Sequence, residues 1–338
     1  MNPHRRGSAK TVLRLAGVVL LGFLIYYAGP RRLWATLSGA HFGWIALGLI
    51  LNLPQLGFKA LRWQRLVRWQ GIRFSYGRAL LAYFSALLIG YLTPGRVGEM
   101  AKAFALRHEA GIGLARSFSS VVLDRVFDLY LLVVLGLFSF TRFALVGPIV
   151  SHAAFASICA IFFTPLLFLN ERAARWGCRL VAQIPPFRSK KDWIAAKAGE
   201  FASGLSVMTP FRIAECCLLT GASYSIFFFQ CYCCGRALNI QLPAIDLVLI
   251  MSATNLVGFL PFSISNLGTR EASLIFFFRI LHPPLSDALA VGWGLSQFFV
   301  FVLGGGAIGF ICWQIAPMGM RLAVGKARGP NRNSSDIE

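Results

Sequence analysis

The stretch that decides the fold is Tyr91–Arg107, "YLTPGRVGEMAKAFALR". It places Arg96, Glu99 and Lys102 in the middle of an otherwise apolar region, 79–108, next to Pro94, Gly95 and Gly98. A second stretch, Phe259–Arg279, "FLPFSISNLGTREASLIFFFR", repeats the pattern inside the apolar region 245–281, with Pro261, Gly268, Arg270 and Glu271. Up to the proline, Ile89–Pro94 ("IGYLTP") matches Val257–Pro261 ("VGFLP") once Thr93 is set aside. Beyond the tip, Glu99 to Arg107 and Glu271 to Arg279 keep the same spacing. Agreement in position, polarity and spacing reads as an internal duplication.

Composition sets the solvent. Of the 338 residues 57% are hydrophobic and 14% charged, and the mean hydropathy is +0.64. These values exclude a soluble globular domain and predict an all-α polytopic membrane protein. The formal charge of +20 falls in short blocks between apolar runs, so it reads as membrane orientation and not as nucleic-acid binding. Most of the eight cysteines sit within apolar segments without ligand spacing to histidine, and are read as small buried hydrophobes; neither a metal nor another cofactor is implied.

Full spans are predicted near 12–28, 42–60, 117–140, 149–169, 213–234 and 288–315. The broken regions 79–108 and 245–281 each hold two pieces too short for a comfortable crossing, and are read as re-entrant hairpins. Full crossings by all four pieces would leave the same loops inside. Segments 1–11, 61–78, 170–212 and 316–338 carry 3, 5, 8 and 4 Lys and Arg, twenty in all, against four in the opposite loops. This bias assigns the crowded side, and both termini, to the cytoplasm. The two hairpins then enter from opposite faces, one in each repeat half (about 12–169 and 213–315). A basic interfacial linker, 170–212, joins the halves, and 316–338 forms a cytoplasmic tail of this single membrane domain. Inverted repeats with interrupted helices are a transporter construction, because unwound backbone in a membrane is tolerated only around a cavity or within protein.

The tips carry the expected chemistry. Prolines 94 and 261 stop the first half-helix, while Gly95, Gly98 and Gly268 permit reversal. The second half-helix starts with free N–H groups and a positive dipole end. Glu99 or Glu271 fills that role internally, whereas Arg96 and Arg270 suit an external phosphate or carboxylate. A third charged group, "LDRVFDLY" (Leu123–Tyr130), puts Asp124 and Asp128 on one helix face with Arg125 beside it. A charge at the bilayer centre costs at least ~2.5 kcal/mol, so mutual pairing around one cavity is expected. Candidate substrate-binding residues are therefore Arg96, Glu99, Lys102, Arg125, Asp128, Arg270 and Glu271. Asp124, Asn255 and Asn266 are structural or supporting partners, and Asn52, Gln55, Ser263 and Ser265 are further cavity candidates.

At "TPGRVGE" (Thr93–Glu99), "DRVFD" (Asp124–Asp128) and "NLGTRE" (Asn266–Glu271) the chain resembles the membrane domain of the lysylphosphatidylglycerol synthase/flippase family, also called UPF0104. The resemblance runs over nearly the whole chain and implies a multi-pass protein of the bacterial cytoplasmic (inner) membrane that moves or supplies lipids. Synthase activity is not implied, because no soluble aminoacyl-transfer domain follows. The leading expectation is a lipid translocase for an anionic phospholipid or a polyprenyl-phosphate-linked lipid. The alternatives are a membrane-embedded transferase using a lipid-linked donor, and an accessory subunit of a separate lipid synthase. No G-x-x-x-x-G-K-[ST], H-E-x-x-H or G-x-S-x-G motif is present.

Overall fold

The computed structural model describes residues 17–93, 97–143, 176, 191–205, 207–258 and 265–316. The tip residues Pro94, Gly95, Arg96, Pro261 and Ser263, the span expected at 149–169, about half of the basic linker (170–175, 177–190 and 206) and nearly all of the tail lie outside the described residues. Among the described residues all regular structure is helical.

Two short helices, α1 (Gly17–Ala28) and α2 (Pro30–Ser38), precede a long rod made of α3 (Phe42–Ile50) and α4 (Asn52–Trp69). Pro54 lies in the first turn of α4, and its missing N–H accounts for the interruption at Leu51. Next come α5 (Tyr76–Tyr91), a 3₁₀ turn (Val97–Met100), α6 (Ala101–Ala110) and the 29-residue α7 (Leu114–Arg142). The second half follows a similar order of lengths. After α8 (Lys191–Leu205) come the 28-residue α9 (Pro210–Ala237), the paired short helices α10 (Ala244–Gly258) and α11 (Thr269–Ile280), and a final long rod. That rod is α12 (Asp287–Gln297), a π-helical segment (Phe298–Gly304) and α13 (Gly305–Ile315).

Among the described residues three helices are both long and apolar enough to cross a membrane: Phe42–Trp69, Pro210–Ala237 and Asp287–Ile315. Helix α7 is as long, at ~43 Å, but carries Asp124, Arg125 and Asp128 in its interior. Large apolar side chains such as Tyr26, Trp34, Phe211 and Leu218 point outward, as lipid-facing surfaces require. Of the cysteines, 216, 231, 233 and 234 are buried as expected, whereas Cys217 is exposed on α9.

Packing between the halves is reciprocal. Helix α5 lies against α13, the last helix of the second half, and α10 lies against α7, the last described helix of the first. The long helices α4 and α9 pack on each other, while α6 meets α7 as α11 meets α12. Side chains seal these crossings: Gln230 donates to the Gly48 carbonyl at 2.8 Å and Ser223 to that of Gln55 at 3.0 Å. Asn52 Nδ2 donates to the Val300 carbonyl at 2.8 Å, binding an acceptor within the π segment, where the ordinary helical ladder is broken.

Two glycines are required by geometry at the tips. A Cβ on Gly98 would come within 2.5 Å of the Ile89 carbonyl oxygen, so only glycine lets the 3₁₀ turn sit against the end of α5. Gly268 has φ +81°, and an added Cβ would meet the Gly17 carbonyl at 2.6 Å. Gly268→Ala is accordingly expected to lower stability by about 1–2 kcal/mol from the backbone conformation alone, and more from the clash. Thermal unfolding of the purified protein in detergent measures this, and an unchanged midpoint would contradict the tight turn.

Candidate functional site

Lys59 and Arg62 of α4, Lys102 of α6 and Asp124 and Asp128 of α7 form one network, almost wholly buried. Asp124 and Asp128 face α4 together because they are one helical turn apart. Arg62, fully buried, donates through Nε to Asp124 Oδ1 at 2.9 Å and through Nη2 to the Asp124 carbonyl at 2.9 Å. Its Nη2 is also 2.9 Å from Asp128 Oδ1, and its Nη1 donates to Thr220 Oγ1 on α9 at 2.6 Å. Lys102 of α6 bonds the second oxygen of Asp124, with its ammonium 4.3 Å from the ring centre of Tyr83. Lys59 bonds Asp128 Oδ2 at 3.0 Å and lies 4.5 Å from the Tyr224 ring centre. Arg125, turned away from this face, pairs with Glu99 of the 3₁₀ turn.

Of the embedded charges expected to pair, Lys102 meets Asp124 and Arg125 meets Glu99, with two corrections to the expected set. Lys59 and Arg62 were not among the candidates, and Arg62 fell in 61–78, taken as a cytoplasmic loop. The helix instead runs unbroken to Trp69, and its register places Gln55, Lys59 and Arg62 along one face. Arg125 pairs with Glu99 and not with the aspartates, because residues one position apart on a helix diverge by about 100°.

At the second tip, Ser265 and Asn266 take left-handed backbone angles (φ 53° and 61°) ahead of α11. Arg270 donates to the Ser265 carbonyl at 3.1 Å and the Gly294 carbonyl at 3.4 Å, fastening the tip to α12. Glu271, fully buried, accepts the Gly268 N–H at 2.7 Å. It therefore serves the start of α11 internally, as the dipole argument anticipated. Asn266 is buried, and its carbonyl accepts the Arg270 N–H.

A cavity of about 60 Å³ lies where α4, α5 and α7 meet α9, α10 and α11. That is room for a few waters or a phosphate-sized group. Its charged walls are Lys59, Arg125, Arg270 and Glu99, with Asn52, Gln55 and Asn255 adding amide groups. One Glu99 oxygen, Oε1, is buried there without a hydrogen-bond partner. Lys102, Asp124, Asp128 and Glu271 stand behind the walls and do not line the space. The cavity thus presents three cations and one carboxylate, an arrangement suited to a single anionic group.

Comparison with known proteins agrees with this architecture. Residues 12–305 match the family model described as the lysylphosphatidylglycerol synthase TM region. A UPF0104 membrane protein of Methanothermobacter thermautotrophicus is 23% identical over 298 residues, covering 82% of this chain and 85% of the relative. The UPF0104 membrane protein PH1989 of Pyrococcus horikoshii is 23% identical over 185 residues, covering 52% and 55% respectively. The glycosyltransferase AglD of Haloferax volcanii is 24% identical over 115 residues, 34% of this chain and 18% of that protein. A helical membrane chain matched along most of its length by that model belongs to the family of the lysylphosphatidylglycerol synthase transmembrane region.

Proposed function

We propose that the protein is a lipid translocase whose cavity receives the anionic headgroup of a phospholipid or polyprenyl-phosphate-linked lipid. The observation that carries this reading is the lining itself, with Lys59, Arg125 and Arg270 facing one small space against Glu99. Three cations so placed at low dielectric favour a phosphate, whose oxygens accept charge-assisted hydrogen bonds. The unpartnered Glu99 oxygen suits an ammonium or hydroxyl on the same headgroup. The reciprocal packing of α5 on α13 and α10 on α7 supports two inverted halves, each contributing a re-entrant hairpin. In that arrangement the tips near Glu99 and Arg270 exchange access between leaflets, and the excess of basic loops keeps both termini in the cytoplasm.

A membrane-embedded transferase is the second reading, favoured by the partial match to a protein named as a glycosyltransferase. Reconstitution separates the two. Purified protein in liposomes with fluorescent phosphatidylglycerol is expected to expose inner-leaflet label to an impermeant quencher. Chemical conversion of a lipid-linked donor without translocation would favour the transferase. Neither activity, until a separate synthase is added, would favour an accessory role.

A further inference from the structure

Tyr91, the last residue of α5, stands between two spaces of opposite character. One side of it lines the polar cavity with Glu99, Arg125 and Arg270. The other lines a groove of about 590 Å³ whose walls are almost wholly apolar, including Leu88, Leu303 and Phe310. The π segment divides in the same way, with Phe301 turned to the cavity and Phe298, Val302 and Leu303 to the groove. A partition built from one side chain and one irregular helical turn is easier to open than one built from packed regular helices.

The tyrosine's mounting is unusual for a core aromatic. Its ring lies over Gly305 and Gly306 of α13, where an added Cβ would come within 2.9 Å of the hydroxyl and 3.9 Å of a ring carbon. Two adjacent residues without side chains let the ring pack directly on the backbone of α13. Its backbone carbonyl accepts Ser265 Oγ at 2.6 Å, so the end of the first short helix is tied directly to the second tip.

We infer that the groove holds a hydrocarbon chain of the same lipid whose headgroup occupies the cavity, with Tyr91 at the boundary between the two. This rests on the headgroup reading above and adds where the tail lies. The two chemistries meet at one residue, and an amphipathic molecule is the ligand whose polar and apolar parts satisfy both at once. The groove is also of the size of an ordinary ligand site, whereas the cavity accommodates only a headgroup.

The test uses phosphatidylglycerol bearing a photoreactive diazirine in one acyl chain, irradiated with the full chain in nanodiscs and mapped by mass spectrometry. Adducts on Leu303 or Phe310 are expected, falling about tenfold in Arg125→Gln, which removes one cation of the cavity and leaves the Lys59–Asp128 pair in place. Ala307→Trp, at an exposed groove position, is expected to remove the adducts and slow translocation while leaving glycerol 3-phosphate binding unchanged. Equal labelling of the groove by photoreactive diacylglycerol, or labelling indifferent to the cavity variant, would make the groove a site for bulk lipid and overturn the inference. Absence of adducts would overturn it as well. Failure of glycerol 3-phosphate to bind the wild type would instead count against the headgroup reading.

Discussion

Asp124→Ala is expected to destabilise the protein by about 3–5 kcal/mol, the largest stability loss of any single substitution in the charged network. Asp124 is the shared acceptor for Arg62 and Lys102, and both its carboxylate oxygens and its backbone carbonyl are engaged. Asp124→Ala takes a carboxylate from two buried cations. Asp128 retains contact with Arg62 and Lys59 but leaves Lys102 without its carboxylate. Nothing at the site is open enough to bring in compensating water, since Asp124 and Arg62 are fully buried and Lys102 nearly so. Arg62→Leu/Asp124→Leu/Lys102→Met, which removes charges of both signs together, is expected to lose less than the single variant, because the desolvation cost disappears along with the attraction. Reversible denaturation in mixed micelles measures both. A loss below about 1 kcal/mol in Asp124→Ala would show that water reaches the network, as it does for surface pairs.

The sequence disclosed the helices and their interruptions because both depend on local signals. Apolar runs of membrane length, Pro94 and Pro261, and the glycines of the tips all act within a few residues. The pairing of Asp124 and Asp128 with cations was legible from helical spacing and the cost of isolated charge in a bilayer. The identity of those cations was not. Lys59 and Arg62 lie where α4 becomes basic, and average hydropathy cannot distinguish a helix continuing inward-facing from a loop reaching water. The i, i+4, i+7 spacing of Gln55, Lys59 and Arg62 was the available signal, a polar stripe on one face of the helix. Glu99 as the partner of Arg125 had no signal of its own, because it depends on how the 3₁₀ turn docks on α7. The groove beside Tyr91 is likewise a property of packing between distant segments.

The second large effect concerns Arg125 and Glu99, for which opposite outcomes are expected from two substitutions of one pair. The Arg125 side chain is 21% exposed, so its loss leaves Glu99 in reach of cavity water and should spare the fold, unlike loss of Arg62. A hydrogen bond to a charged group contributes about 1.5–3 kcal/mol, so Arg125→Gln is expected to weaken glycerol 3-phosphate binding by about 10- to 150-fold. Glu99→Gln removes the only carboxylate among the described walls of the cavity and frees Arg125 from its internal partner. Binding should then tighten, by about tenfold for 1.4 kcal/mol of relieved competition. Translocation should nonetheless fall, because a site that holds its cargo more strongly releases it more slowly, and passage requires binding weak enough to leave. Titration calorimetry with glycerol 3-phosphate gives the affinities, and the liposome assay gives the rates. Equal weakening in both variants would mean that the pair serves only to lock the 3₁₀ turn against α7, since a structural lock is broken alike from either side.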